Sequence, residues 1–585
     1  MKFFNTILLR EWKIENIMSD IIAKVKQIKF KEYVDEAAVL SCFITILYFW
    51  ALYRTGHMTV MYDTAVNRSI ANGDMIGYRN AHQMFINYFI GIVMSALYYL
   101  FPAWEWFTIM LLFTMYFSLW AVLYRVFTII GNGAVLKQIV GGGLTVFAFN
   151  YFFYESLMSI YFLNCAAIAG VCAFFYLILL DEMRRRDAFI CAILLVLCAG
   201  IRFSVFKEML PFNLAAVFIH CFAFQKRKKR LLLLCGSLLI IIGLMYVVNE
   251  NAYTGIYANE KEINHYRAAI QDYAGLPTYE GHEELYQSLG MNEDEYLIMK
   301  DCWGLSDHLD RGTLAAILEV NEAEHSDTEG KKEQIRTLVS NMFKEDYTKN
   351  FWLLEILCAA GAFLLMFRKK DWRMLLCYLG VFLIVAGEII YLAYNGRMPV
   401  RVTISPLLVI MLSGIGYMIQ YRSDVSAFIS QERVFCIVGI VLTLVCIYGV
   451  FIDSENVYHE FENSFPATAA ELKLVNYMLA DSDNTYFCHG KHDELDLHNP
   501  IKRNYTGWGG WISETIDWRV MLLGDYGNVW DAIAYRDDLR FIVSDSTIDT
   551  LQKYLINHGY RCNAVCDVVD IDGHIYNVWR FENNN

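Results

Sequence analysis

From His57 to Tyr88 the chain reads HMTVMYDTAVNRSIANGDMIGYRNAHQMFINY, which gathers Asp63, Arg68, Asp74, Arg79 and His82 just after an apolar block. A carboxylate held at a membrane surface can take a proton from a sugar hydroxyl, a role open to Asp63 or Asp74. The plainer alternative is a loop that is polar only because it meets water.

A second set of residues suits phosphate. Arg202, Lys207 and Glu208 fall at the boundary of two later apolar blocks, and Arg397 and Arg401 fall in the turn NGRMPVR. Asn150, Tyr154 and Glu155 lie near the end of an earlier block. Arginine forks match phosphate oxygens in pairs, whereas basic side chains at helix ends also snorkel with no ligand at all. Glu388 sits inside an apolar run, where an ionisable group is a functional candidate by default.

A third set lies in NHYRAAIQDYAGLPTYEGHEELYQSLGMNEDEYLIMKDCWGLSD, from Asn264, where Asp272 and Tyr273 stand among other aromatics and carboxylates. Rings and carboxylates together suit carbohydrate, by stacking and by hydrogen bonds to hydroxyls, and they also build small helical cores. A fourth is NYTGWGGWISETIDW, from Asn504. Its glycines allow a tight turn, and Trp508, Trp511 and Trp518 offer flat faces for sugar contact or for packing. No EF-hand, Walker or zinc-protease pattern is present.

The elements that must position these residues are membrane helices. Hydrophobic residues make up 56% of the 585 and mean hydropathy is +0.32. They come in blocks of roughly 17–25 residues, the length that crosses a bilayer core. Eleven spans are expected, near 36–54, 104–124, 138–157, 163–180, 188–206, 208–224, 231–248, 351–367, 374–393, 402–420 and 434–451. With residues 1–35 as a cytoplasmic amphipathic lead-in, every basic cluster then falls on the cytoplasmic side. These include Arg184–Arg186, Lys226–Arg230 and Arg368–Lys370, in keeping with the positive-inside rule. Counting 85–101 as a span would reverse all later loops, so it is expected to lie at the interface.

The other face receives the loops 55–103 and 249–350, a short turn at 394–401, and the tail 452–585. Within the tail, helices at 467–480 and 546–558 alternate with strands at 484–489, 540–544 and 574–581, the pattern of a soluble α/β domain. The expected fold is therefore an α-helical polytopic membrane protein with an extracytoplasmic C-terminal α/β domain. The core runs over 36–451 and the tail domain over 452–585. The net charge of −13 is concentrated in 249–349, which holds 21 acidic and 9 basic residues, and this argues against nucleic acid as a partner. Most of the 15 cysteines lie inside apolar blocks, so neither a disulfide framework nor a zinc site is expected.

This arrangement resembles the GT-C superfamily of membrane glycosyltransferases. The resemblance rests on an acidic residue in the loop after the first span (Asp63), an interfacial stretch beginning HQMFINYFIGIVMSALYYLFP at His82, and a many-helix core followed by an external C-terminal domain. The middle loop, the GRMPVR turn and the GWGGW segment are also similar to those of uncharacterised bacterial proteins of GT-C-like architecture. The resemblance implies transfer of a sugar, with inversion, from a polyprenyl-phosphate donor to a cell-envelope glycan or other acceptor outside a bacterial cytoplasmic membrane. Asp63 would be the base, with His82 and Arg79 orienting it or the leaving group. Arg202, Lys207, Arg397 and Arg401 would hold phosphate, with Glu388, Asp272 and Tyr273 nearby in the substrate cleft. GT-C relatives often carry an acidic pair where this chain has Asp63 alone, so the pattern does not support a divalent metal. A flippase or transporter, or an O-antigen-type polymerase for lipid-linked glycans, is the alternative reading. The former would show inverted repeats, which this sequence lacks, and the latter would not need so long a tail.

Overall fold

Most of the chain is helical. The computed structural model describes residues 35–55, 58–131, 135–180, 183–224, 228–324, 328–342, 346–396, 398, 400–421, 468–489, 493–495, 497–498 and 503–583. The amphipathic lead-in before residue 35 and the span expected at 434–451 lie outside them.

The first apolar block forms α1 (Glu36–Arg54), started by Asp35, whose carboxylate accepts the Ala37 N–H at 3.2 Å. Next come β1 (Thr59–Val60), α2 (Tyr62–Asn72), α3 (Tyr88–Leu100), α4 (Trp106–Ile130) and α5 (Val135–Met158). Then follow β2 (Ser159–Ile160), α6 (Phe162–Ile178), α7 (Arg185–Ile201), α8 (Phe203–Ile219) and α9 (Lys228–Ala252). The helix α3 has 13 residues. At 1.5 Å per residue it is about 20 Å long, too short to cross a bilayer core of about 30 Å.

The middle loop folds as α10 (Ile256–Arg267), α11 (Glu283–Ser288), α12 (Glu293–Asp301), α13 (Arg311–Glu324) and α14 (Thr328–Met342). Three long helices return: α15 (Asp346–Lys369), α16 (Trp372–Tyr394) and α17 (Val400–Gln420). Among the described residues, six helices are long and apolar enough to cross a membrane: α1, α4, α8, α9, α16 and α17. Four more of the expected spans, those at α5, α6, α7 and α15, are helical but fall outside those six. The described chain is thus mostly helical, with six candidate membrane-length helices and a C-terminal mixed sheet.

That sheet is built after residue 467. Helix α18 (468–480) precedes β3 (Thr485–Cys488), β4 (Asp493–Glu494), β5 (Tyr505–Gly507), α19 (Ile516–Leu523) and α20 (Val529–Tyr535). Then come β6 (Leu539–Ile542), α21 (Asp545–Asn557), β7 (Cys562–Ile571) and β8 (His574–Asn583). The five-stranded order is β5-β3-β6-β8-β7, with β3 parallel to β5 and β6 and with β8 antiparallel to β6 and β7. The hairpin of β7 and β8 adds to the expected strands a long one at 562–571.

Two features tie the tail to the helices. A small sheet pairs β1 with β2 in parallel and with β4 in antiparallel, which joins the first loop, the end of α5 and the tail. A single apolar core also unites Val66, Ile70 and Met84 of the first loop, Ile298 and Leu305 of the middle loop, and Trp511, Trp518, Leu522 and Phe541 of the tail. Burial of this kind stabilises by roughly 1.5–3 kcal/mol per large side chain. The three polar regions therefore form one seam. At that seam Gly304 lies so close to Ser513 that a Cβ would sit 2.5 Å from the Ser513 carbonyl oxygen.

Candidate functional site

Asp63 stands in the first turn of α2, and its position is set by the small sheet. The register Thr59 to Ser159 and Val60 to Ile160 continues with Met61 N–H donating to the Ile160 carbonyl at 3.0 Å. This brings the next residues of both strands, Tyr62–Asp63 and Tyr161–Phe162, side by side. The Thr64 hydroxyl accepts the Phe162 N–H at 3.1 Å, and the Tyr161 hydroxyl donates to Asp63 Oδ2 at 3.2 Å. The other oxygen, Oδ1, accepts the indole N–H of Trp511 at 3.0 Å. Two neutral donors from distant parts of the chain thus fix the plane of one partly exposed carboxylate.

Trp511 reaches Asp63 because of its turn. Gly509 and Gly510 have φ of +83° and +60°, a backbone that L side chains rarely adopt, and they separate Trp508 from Trp511. Trp508 and Trp518 pack against Phe487 in the core, while the Trp518 indole donates to the Gly507 carbonyl at 2.6 Å. Gly507 is equally constrained. A Cβ there would fall 0.8 Å from the Tyr62 hydroxyl, so only glycine lets α2 approach β5.

Arg202 comes to the same place. It occupies the extended break between α7 and α8, with φ −149° and ψ 100°. Its guanidinium lies 4.2 Å from the Phe85 ring centroid and 5.9 Å from that of Phe162. Phe85 in turn meets Trp511 edge-on at 5.3 Å. Phe85 holds φ at +73°, a left-handed backbone for a bulky residue. Such strain costs of order 1–3 kcal/mol and clusters at functional sites. Asp63, Tyr161, Phe162, Arg202, Phe85 and Trp511 therefore form a closed circuit of contacts, with a carboxylate at one point and a guanidinium at another.

The remaining sequence candidates are distributed differently. Arg79 is partly buried, and its Nε has no hydrogen-bond partner among the described residues. His82 stacks on Tyr257 at 3.8 Å, with Tyr88 and Tyr253 also against its ring. Its nitrogens face Asn80 Oδ1 at 3.1 Å and the Ala252 carbonyl at 3.2 Å. Burial pulls the imidazole below its usual range, and the Ala252 contact pulls the other way. No hydrogen bond or ion pair joins His82 to Asp63 among the described residues; His82 clamps the first loop to the end of α9 and the start of α10. Lys207 is exposed, 5.8 Å over the Phe203 ring one turn earlier. Glu388 lies near enough to Glu208 on α8 to interact with it. Asp272 takes both forks of Arg267 at 3.2 Å. Arg397 and the side chains of Tyr273 and Arg401 lie outside the described residues.

Nothing in residue type or spacing singles out Tyr161 or Phe85, and from sequence Trp511 is only a flat face. The available signal was the glycine pair before Trp511, which marks a turn able to present an indole. Nothing local marks Tyr161, since its role depends on the two-residue pairing of β1 with β2.

A second polar cluster occupies the seam. Glu514 accepts the Trp303 indole N–H at 2.7 Å and lies 4.0 Å from Arg267. Glu260 accepts the Ile516 N–H at 2.6 Å, and Asp517 accepts from the Asn80 amide at 3.2 Å. Burial pushes the Glu514 carboxyl up to about 8, against the pull of Arg267 and Trp303. Burial likewise pushes Glu260 to about 7 and Asp517 to about 6.

Among the described residues, no three His, Cys, Asp or Glu side chains converge as metal ligands. Both Asp63 oxygens already accept an N–H or O–H. No protein-family model, curated protein or solved structure matches this chain.

Proposed function

We propose that this protein is a membrane glycosyltransferase of GT-C-like architecture, with Asp63 as its general base. The observation that carries the reading is the circuit around Asp63: a partly exposed carboxylate oriented by Trp511 and Tyr161, in the same ring of contacts as Arg202. The proposed topology has eleven spans, the amino terminus in the cytoplasm, and the Asp63 site and tail outside a bacterial cytoplasmic membrane. The donor is a polyprenyl-phosphate sugar, whose lipid lies in the bilayer while its phosphate meets the guanidinium of Arg202.

Asp63 takes the proton of an acceptor hydroxyl as the acceptor oxygen attacks the anomeric carbon. The bond from that carbon to the phosphate oxygen breaks, and polyprenyl phosphate leaves with the electron pair, inverting the centre. Arg202 balances the charge that grows on the departing phosphate. Holding base, acceptor and donor in one geometry supplies much of the rate.

The test uses the full chain in nanodiscs with a panel of polyprenyl-phosphate sugars and cell-wall glycan acceptors. Release of polyprenyl phosphate from one donor supports the reading and names the sugar. If every donor stays intact while labelled lipid-linked glycan crosses the bilayer of proteoliposomes, the protein is a flippase instead.

A further inference from the structure

Helices α14, α15, α16 and α17 line a cavity of about 320 Å³, within the range of roughly 300–1,000 Å³ typical of small-ligand sites. None of its lining residues belongs to the Asp63 site. Its wall is apolar, with Met342, Ala359, Val385 and Leu407 among its members. Ile356 and Ile390, also in the wall, are 61% and 54% exposed, so it opens sideways where helices of this hydropathy meet acyl chains.

One side chain breaks the pattern. Glu355 of α15 lines the cavity and is 3% exposed, and among the described residues neither of its carboxyl oxygens has a hydrogen-bond partner. Burying a carboxyl without a partner is costly, and such groups inside a membrane protein mark ligand sites. Glu355 lies four residues past the start of the expected span at 351–367, about 6 Å along the helix. On the proposed topology that is just inside the hydrocarbon boundary, next to the headgroups.

We infer that this cavity holds one hydrocarbon chain of a bilayer lipid and that Glu355 receives the ammonium of its headgroup. The apolar wall suits the chain and the sideways opening gives it a route in. An ammonium brings both the positive charge and the three donors that a lone carboxylate lacks. A headgroup that is only anionic meets repulsion at the same point. The inference is independent of the proposed transfer reaction.

The test is native mass spectrometry of the full chain, released from nanodiscs holding equal phosphatidylethanolamine and phosphatidylglycerol with identical acyl chains. The wild type is expected to retain the ethanolamine lipid about tenfold over the other, the effect of a charge-assisted hydrogen bond. Glu355→Gln keeps the side chain's shape and is expected to bring that ratio close to one while still retaining lipid. Ala359→Trp fills the cavity and is expected to remove both adducts. Equal retention by the wild type, or a preference that survives in Glu355→Gln, overturns the inference. Should Ala359→Trp fail to fold, the glutamine variant alone decides, with its melting temperature as control.

Discussion

Asp63 and Glu514 make a direct comparison. Each accepts an indole N–H, Asp63 from Trp511 at 3.0 Å and Glu514 from Trp303 at 2.7 Å. Each also ties the tail to an earlier loop. Yet Asp63 is partly open to solvent and has a phenol as its second donor, whereas the Glu514 side chain is fully buried with Arg267 4.0 Å away. Burial lifts the Glu514 carboxyl to about 8, so near neutral pH it is mostly proton-bearing and acts as a structural hydrogen-bonding group. On the proposed function, the same residue chemistry serves reaction in one place and cohesion in the other. Access to water, rather than residue type, makes the difference.

The largest effect that separates the two is on turnover. Asp63→Asn is expected to lower polyprenyl-phosphate release by about a thousandfold, within the range of general-base catalysis. Its melting temperature should stay near the wild type, because the Tyr161 hydroxyl can turn to accept from the new amide. A large fall in melting temperature would instead make Asp63 structural, like Glu514. The next effect is on stability. Arg267→Ala removes the fork held by Asp272 and the guanidinium beside Glu514 and is expected to cost about 1.5 kcal/mol, the range of a hydrogen bond to a charged group. Thermal unfolding followed by tryptophan fluorescence checks this, and a loss below about 0.5 kcal/mol would show that the seam does not depend on it.

A smaller effect belongs to the indole. Trp511→Phe keeps the ring against Phe85 but removes one Asp63 donor, and is expected to reduce release about tenfold, in proportion to one hydrogen bond to a charged group. Full activity in this variant would remove Trp511 from the site. The smallest effect is a change of slope. Glu514 holds its proton more tightly folded than unfolded, so its contribution to stability is fully present below about 4.5 and is lost as pH rises towards about 8. Glu514→Gln should flatten the melting temperature between those limits, with little change at low pH. An unchanged slope would assign the pH dependence to Glu260 or Asp517, which are also raised.

Long apolar blocks revealed the helices, because local composition decides where a chain can bury every backbone group in lipid. The tail strands at Thr485–Cys488, Leu539–Ile542 and His574–Asn583 were legible from β-rich runs between turns. By contrast, β7 buries only Cys562 of its ten residues, and its pairing with β8 is a tertiary outcome. The position of Asp63 after the first span was visible as well. Its partners were not, since Trp511 lies 448 residues away and Tyr161 lies 98 away. A circuit of this kind exists only once a two-residue sheet and a glycine turn have closed it.

The most direct measurement is single-turnover release of polyprenyl phosphate by wild type, Asp63→Asn and Glu514→Gln in identical nanodiscs, with the donor that the panel selects. The expected result is rapid release by wild type and Glu514→Gln, and almost none by a folded Asp63→Asn. Release at the wild-type rate from Asp63→Asn would contradict a catalytic Asp63.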